Sequence, residues 1–209
     1  MKAFLIHYIY DFYLCTGAKN PSRIVGNNEK TYYTVNTCCS ASGQYCPPYI
    51  LYKAKSNKFI YEWMKDGPAN AVYNTSSLGW METQQFFEWF SEVFIKHTRK
   101  VLNLMGPLVL FLDGHLSHIS IDLVDLAIEN NVHIICLPPH SSHAWQPLDV
   151  GVYGPVKKCW RTILQEFYIK AGYENVGKYQ FAALVNLLHK VAFFPEHAVA
   201  GFRIPHNIT

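Results

Sequence analysis

A run of five apolar residues, 108–112, ends abruptly at Asp113 and constrains the fold more than any other stretch of this chain. The run has no polar alternation, so both faces of the strand it predicts must be covered. Such a strand lies in the middle of a sheet that has helices on both faces. Asp113 then follows the carboxyl end of a buried strand, which is where ligand sites form in α/β folds.

The patterns around this run complete a predicted α/β fold. Residues 120–130 predict a helix capped by Ser120, and residues 133–137 predict the next strand, so 108–137 forms a parallel strand, helix, strand unit. The apolar positions of that helix are expected to face inward: Leu123, Val124, Ala127 and Ile128. Elsewhere the sequence predicts strands at 4–10, 31–39 and 49–52, helices at 83–96, 152–167 and 181–191, and a loop over the sheet at 53–80.

Composition agrees with one packed domain and excludes several classes of protein. Half of the 209 residues are apolar and only 16% are charged, which is unlike a disordered or coiled-coil chain. A net charge of +3 permits a nucleic-acid partner without requiring one. No stretch approaches the roughly 20 apolar residues of a membrane span.

Six cysteines without a Cys-x-x-Cys pair predict reduced, mostly buried thiols, with Cys38 and Cys39 on opposite faces of a strand.

Two aspartates are expected at the same edge of the sheet. Asp149 follows the loop after strand 133–137 and opens the long helix, so it returns to the edge where Asp113 lies. Either acid on its own is explained equally well as a helix or turn cap. Together they favour a site for paired divalent cations, because hard carboxylate oxygens are the ligands that such ions share.

Several ordered blocks carry a resemblance to a known family. The segments 110–118, 137–143 and 146–157 resemble the blocks of DDE superfamily endonucleases in pogo-, Tigger- and jerky-like, mariner-related transposases. The shorter blocks 40–43, 77–80 and 200–203 are similar to flanking blocks of the same family. The resemblance implies an RNase H-like mixed sheet over residues 1–165, with a degenerate N-terminal part, and a C-terminal helical extension at 166–209.

The resemblance also implies a chemistry and its partners. Three acids would bind two Mg²⁺ or Mn²⁺ ions, one activating water or a DNA 3′-hydroxyl and the other stabilising the leaving oxygen. The implied partner is DNA, as transposon ends or non-specific duplex, and the protein is expected in the nucleus, with a homodimer as an option and no membrane association. Asp113 corresponds to the second acid, Asp149 to the third, and His118 to a histidine that orients a carboxylate or a phosphate, or that only packs.

The first acid is the point where the chain departs from the family. Asp11 is the best candidate, because it ends the first apolar run and lies thirteen residues before Ile24, a spacing similar to that of the family. However, residues 12–14 read Phe-Tyr-Leu where the family has Glu-Thr-Gly. Without a third carboxylate the metal ions would be poorly fixed, and the domain would persist as a DNA-binding or protein-binding remnant.

Two further hypotheses compete with the nuclease. His115 and His118, with His140 and His143, also suggest a histidine-rich zinc hydrolase, although both pairs fall in predicted loops. A nucleic-acid-binding module without catalysis is the stronger rival. In both hypotheses that involve DNA, the basic segment 157–161 could contact the phosphate backbone through Lys157, Lys158 and Arg161. The simpler role for these three side chains is to form a solvated helix face.

No block resembles a helix-turn-helix module, so the chain is expected to be a fragment without specific end recognition.

Overall fold

The computed structural model describes residues 33–54, 60–112, 119–137, 146–172 and 174–203, together with the backbone of residues 2–9. Three of the segments between these ranges contain predicted site residues.

A six-stranded mixed sheet forms the centre of the fold, as predicted. Its strands are β1 (Lys2–Ile9), β2 (Tyr33–Ser40), β3 (Tyr49–Lys53), β4 (Val72–Ser76), β5 (Leu108–Leu112) and β6 (Val132–Cys136). They are ordered β4-β3-β2-β1-β5-β6 across the sheet. Strand β2 is antiparallel to both neighbours, and every other pairing is parallel. Five strands therefore end at the same edge of the sheet, and β5 occupies the predicted interior position.

Helices cover both faces of the sheet. One face carries α1 (Thr83–Trp89), which continues as a π-helix (Phe90–Val101), and α2 (Ile121–Glu129). The other carries α3 (Tyr153–Lys170), α4 (Lys178–Ala192) and α5 (Pro195–Arg203). A 3₁₀ turn (Tyr61–Met64) and a π-helical turn (Leu148–Val152) complete the described elements. The RNase H-like α/β architecture implied by the resemblance is thereby confirmed.

Aromatic side chains dominate the two cores, one on each face of the sheet. Under α1 and the π-helix, Phe86, Trp89, Phe90 and Phe94 are fully buried, so the helical aromatic stripe packs on the sheet as predicted. On the opposite face, the ring of Phe181 in α4 stacks on a tyrosine of β2 with the centroids 4.1 Å apart. Burial of such rings contributes most of the hydrophobic stabilisation of a domain of this size.

The described cysteines are free thiols, and three of the five are buried. Cys39 lies in the core beneath α3 and α4, whereas Cys38 lies in the core beneath α1. The predicted opposite orientation of these neighbours is therefore confirmed, as period-two alternation along a strand requires. No helix in the part of the chain that the structure describes is long and apolar enough to cross a membrane.

The predicted loop at 53–80 was wrong in its second half. Residues 72–76 form β4, which extends the sheet by pairing in parallel with β3 from Tyr49↔Val72 to Lys53↔Ser76. This strand escaped prediction because it lies at the edge of the sheet and mixes polar with apolar residues, so it lacks a continuous apolar run. The 3₁₀ turn before it also lies within the predicted loop.

The second correction concerns the buried face of α2. Ser120 does cap the helix, since its Oγ accepts a hydrogen bond from the Leu123 amide at 3.2 Å. Leu123 and Ala127 are buried as predicted, but Val124 and Ile128 are 40% and 70% exposed. The helix packs on the outer strands of the sheet by a narrow face, so only part of its apolar stripe finds a partner.

Arg99, in the last turn of the π-helix, has a structural role. Its guanidinium donates hydrogen bonds to the carbonyls of Leu104 and Gly106 and to those of Asn130 and Asn131. The first pair belongs to the loop before β5 and the second to the turn before β6. Arg99 therefore fixes the entry of two neighbouring strands through hydrogen bonds from a charged donor to their backbone carbonyls.

Candidate active site

The structure describes one of the three predicted catalytic acids, Asp149. Asp113 and Asp11 lie outside the described residues, and so does His118. The zinc hypothesis rests on histidines that lie outside them as well: His115, His118, His140 and His143. Within the described ranges no group of three or more histidine, cysteine, aspartate or glutamate side chains is placed to hold a metal ion. The ligand set therefore stays a prediction, and the structure defines the framework around it.

The edge at which the site is predicted is formed by the carboxyl ends of β1, β5 and β6. Strands β1 and β5 pair in parallel from Lys2↔Leu108 to Leu5↔Phe111, and β5 ends at Leu112, directly before Asp113 in sequence. The Leu137 amide, just after β6, donates to the Leu112 carbonyl at 2.8 Å and holds this end of β5 in the sheet. The backbone that leads into Asp113 is thus firmly hydrogen-bonded.

Asp149 lies in the π-helical turn at 148–152, between two fully buried apolar side chains. Leu148 and Val152 are both inaccessible to solvent and anchor the turn in the core, while Asp149 itself is half-buried. The turn packs against strand β1, the neighbour of β5. Asp149 therefore lies on a turn that buried side chains hold in place and that contacts β1, the strand beside β5.

A contact between two glycines fixes the position of this turn. A Cβ atom on Gly151 would lie 2.6 Å from both the nitrogen and the Cα of Gly201 in α5, and 2.6 Å from the His197 carbonyl oxygen. A Cβ on Gly201 would lie 2.2 Å from the Pro147 carbonyl oxygen. Only glycine permits such close backbone approach. The sequence blocks 146–157 and 200–203 thus meet in space, a packing relation that the sequence analysis did not predict.

The strand register bears on the first acid. The pairing of β1 with β5, continued by one residue, places Leu112, the last residue of β5, level with Ile6. Strand β1 continues for three more residues, to Ile9. The two strand ends are therefore offset by roughly 10 Å, at about 3.3 Å per residue. Asp113 follows the nearer end directly, and Asp11 comes two residues after the farther end. The β1 strand itself, residues 2–9, contains neither aspartate nor glutamate.

Charge is unevenly divided between the edge and the helices behind it. Residues 101–156 contain five acidic and no lysine or arginine residues, whereas residues 157–203 contain seven lysine and arginine residues and three acidic ones. Lys157, Lys158 and Arg161 are all exposed on α3, and the Lys157 ammonium lies 5.9 Å from the centroid of the Tyr153 ring. An acidic segment, which suits cations, therefore directly precedes a basic helix, which suits phosphates, along the chain.

Comparison with known proteins assigns the chain to a family. A family model described as DDE superfamily endonuclease matches residues 30–199. A curated relative from Cochliobolus lunatus, named MFS-type transporter clz9, is 27% identical over 190 residues, which make up 90% of this chain and 20% of the relative. The chain thus spans about one fifth of the length of that relative, whose name describes the relative as a whole.

Solved structures of the Mos1 mariner transposase also resemble the chain. The paired-end complex with manganese has a TM-score of 0.48 at 10% identity, covering 95% of this chain and 54% of that one. The isolated catalytic domain has a TM-score of 0.45 at 11% identity and covers 95% and 80% of the two chains. These structural likenesses are remote. The match to the family model is much more extensive and covers 170 of the 209 residues.

Proposed function

The chain belongs to the DDE superfamily endonucleases, and we propose that it binds DNA and cleaves and transfers its strands with two divalent cations, Mg²⁺ or Mn²⁺. The observation that supports this proposal is the packing of the turn carrying Asp149 against β1, beside the strand β5 that leads into Asp113. Two carboxylates from separate segments would then approach one edge of the sheet. Carboxylate oxygens are hard ligands and fit these ions.

In this proposal each side chain has a defined role. Asp113 and Asp149 would hold the cations, with Asp11 as the third carboxylate, and His118 would orient a carboxylate or a phosphate. When bound, the cations supply an activated water and stabilise the charge of the leaving oxygen. The buried neighbours of Asp149, Leu148 and Val152, keep its backbone in place, so binding costs little reorganisation.

The basic side of α3 would bind the DNA backbone. Lys157, Lys158 and Arg161 share one exposed part of the helix, because residues three and four apart lie on the same face. The first of them is eight residues beyond Asp149, roughly 12 Å along a helix axis. A duplex seated on the acidic edge would therefore pass within reach of these cations, which carry no base specificity.

A second function is favoured by the offset between the ends of β1 and β5. The end of β1 lies about 10 Å beyond the end of β5 along the sheet. The carboxylate of Asp11 would therefore reach that of Asp113 only if the chain turned back after β1. The domain would then bind DNA without cleaving it, as a transposon-derived remnant. The two functions differ in strand cleavage and share the affinity for DNA.

Nicking of supercoiled plasmid DNA with Mg²⁺ or Mn²⁺ separates these functions. The endonuclease proposal predicts nicking by the wild-type protein and none by Asp113→Asn or Asp149→Asn, while all three retain salt-sensitive affinity for duplex DNA. Asp125→Asn, a change of an exposed acid on α2, is the matched control and should nick normally. Wild-type protein that binds duplex DNA but never nicks it would establish the remnant instead. Full activity in Asp11→Asn would exclude that residue as a ligand.

We also propose that the protein works in the nucleus and as a homodimer. The nucleus follows from DNA as the substrate, and a pair of subunits would bring two such sites to one DNA complex. Localisation of a fluorescent fusion tests the first statement, and sedimentation equilibrium with and without duplex DNA tests the second. A cytoplasmic fusion protein, or a monomer under both conditions, would contradict the respective proposal.

A further inference from the structure

The loop after β4 exposes two large apolar side chains on a well-fixed backbone. Leu78 is 55% exposed and Trp80 is 48% exposed, and they flank Gly79, which is buried. Exposure of a single apolar residue needs no explanation, whereas an exposed tryptophan beside an exposed leucine forms a small apolar surface. This loop, residues 77–80, is one of the sequence blocks that the proposed function leaves without a role.

Hydrogen bonds from three sides hold the loop in place. The Gly79 amide donates to the Ser76 carbonyl at 3.2 Å, and the Ser76 hydroxyl donates to the Trp80 carbonyl at 2.8 Å. From β2, the Thr34 hydroxyl donates to the Gly79 carbonyl at 2.8 Å. Met81, the next residue, is buried in the core under α1. The two exposed side chains are therefore presented by a fixed backbone, so little conformational entropy is lost when they bind a ligand.

The loop lies at the edge of the sheet where the active site is predicted. It leaves β4, passes the end of β3 and reaches Thr34 at the start of β2. The next residue of β2, Val35, pairs with Ile9 at the end of β1. From β2 to β5 there are two strand spacings, or about 10 Å. A DNA strand seated beside β1 and β5 would therefore extend as far as this loop.

One lysine, Lys53, lies beside this loop in the sheet. Lys53 ends β3 and pairs with Ser76, the residue whose hydroxyl holds the Trp80 carbonyl. Lys178, in the first turn of α4, lies with its ammonium 4.3 Å from the centroid of the Trp63 ring. Burial and, after it, the nearby charge of Lys53 lower the pKa of Lys178. Lys178 therefore lies near Lys53 but packs on the other face of the sheet, against the core that contains Trp63.

We propose that Leu78 and Trp80 form a subsite for unpaired nucleotides of the DNA, with the Trp80 indole stacked on a base and Lys53 near the phosphates. Tryptophan stacks on any base, and a leucine can wedge between neighbouring bases. Bases inside an intact duplex are already stacked, so the subsite selects strands that are single or opened at the point of cleavage. The inference rests on the proposed function in taking DNA as the polymer bound.

Binding to matched single-stranded and duplex oligonucleotides tests the subsite. Trp80→Ala is expected to weaken binding of the single strand about tenfold, equivalent to about 1.4 kcal/mol, and to leave duplex binding nearly unchanged. Trp80→Phe should keep most of the affinity, because its ring still stacks. Ile128→Ala, at an exposed apolar position on α2, is the control and should bind both DNAs normally. Single-strand affinity that is unchanged in Trp80→Ala would overturn the proposal.

A stacking readout separates this inference from the proposed function. In a single strand that contains 2-aminopurine, the wild-type protein should quench the fluorescence of the base by stacking, and Trp80→Ala should quench it less. Quenching that depends on Trp80 supports the subsite even if the protein never nicks DNA. Conversely, metal-dependent nicking together with quenching that is equal in both proteins overturns the subsite and leaves the endonuclease proposal intact.

Discussion

At the scale of single residues, Asn36 in the middle of β2 stands out. Its side chain is fully buried, and neither amide atom has a hydrogen-bond partner among the residues that the structure describes. Thr34, two residues earlier on the strand, shows the satisfied alternative, because its hydroxyl donates to the Gly79 carbonyl. An amide removed from water without partners costs about 1–3 kcal/mol. Asn36 therefore destabilises the centre of the sheet.

Replacing Asn36 by leucine should raise the free energy of unfolding by about 1–2 kcal/mol, because an apolar side chain of similar shape has no unmet hydrogen bonds. Urea denaturation followed by circular dichroism measures the change. Thr34→Val is the matched control on the same strand, and it should lower stability because the Gly79 carbonyl loses its donor. A less stable Asn36→Leu protein would show that the amide has a stabilising partner.

At the scale of elements, the crossing of α5 over the π-helical turn decides where Asp149 lies. Gly151 and Gly201 allow the two backbones to approach within distances that no side chain would permit. Leu148 and Val152 then insert into the core and leave Asp149 half-buried between them. The position of the predicted ligand thus depends on a helix about fifty residues further along the chain.

Alanine at Gly151 or at Gly201 should destabilise the protein by about 1–3 kcal/mol, because each added methyl group overlaps backbone atoms of the facing segment. Thermal denaturation measures this effect. Gly154→Ala is the control in the first turn of α3: nothing lies within 4 Å of the new Cβ, so helix propensity should leave it neutral or up to about 1 kcal/mol more stable. Equal melting temperatures for Gly154→Ala and Gly201→Ala would refute the close-contact explanation.

At the scale of the whole molecule, half-buried histidines on both faces of the sheet link stability to pH. Burial lowers the pKa of His97 in the π-helix and of His189 in α4, and the His189 ring stacks on Phe193 with the centroids 5.0 Å apart. Both groups bind protons more weakly in the folded protein than in the unfolded chain, whose value is near 6.5. As the pH falls through that value, the unfolded chain takes up more protons and the folded state loses stability.

The urea midpoint should accordingly fall between about pH 7 and about pH 5, the range in which histidines titrate. His189→Phe should reduce this loss, since a phenyl ring can stack on Phe193 without taking up a proton. Leu187→Phe, at an exposed position on the same helix, changes no titratable group, so it is the comparison and should leave the pH dependence unchanged. A pH dependence in His189→Phe as steep as in the wild type would rule out this histidine as a source.

The sequence by itself determined most of the elements, the fold class and the family. The unbroken apolar run before Asp113 required an interior strand, and the helical spacing of Phe86, Phe90 and Phe94 required a helix packed on the sheet. Both are short-range patterns, set by the geometry of a few consecutive residues. The ordered blocks around Asp113 and Asp149 likewise sufficed to identify the DDE superfamily.

Only the tertiary structure decided which faces are covered and how the segments are aligned. An apolar stripe shows which face of a helix can be buried, yet the packing partner determines how much is buried, and so Val124 and Ile128 stayed exposed. The pairing that made β4 a strand, the contact between Gly151 and Gly201, and the offset between the ends of β1 and β5 all join residues far apart in sequence. Such relations depend on the register of strands and the crossing of helices, which no local pattern encodes.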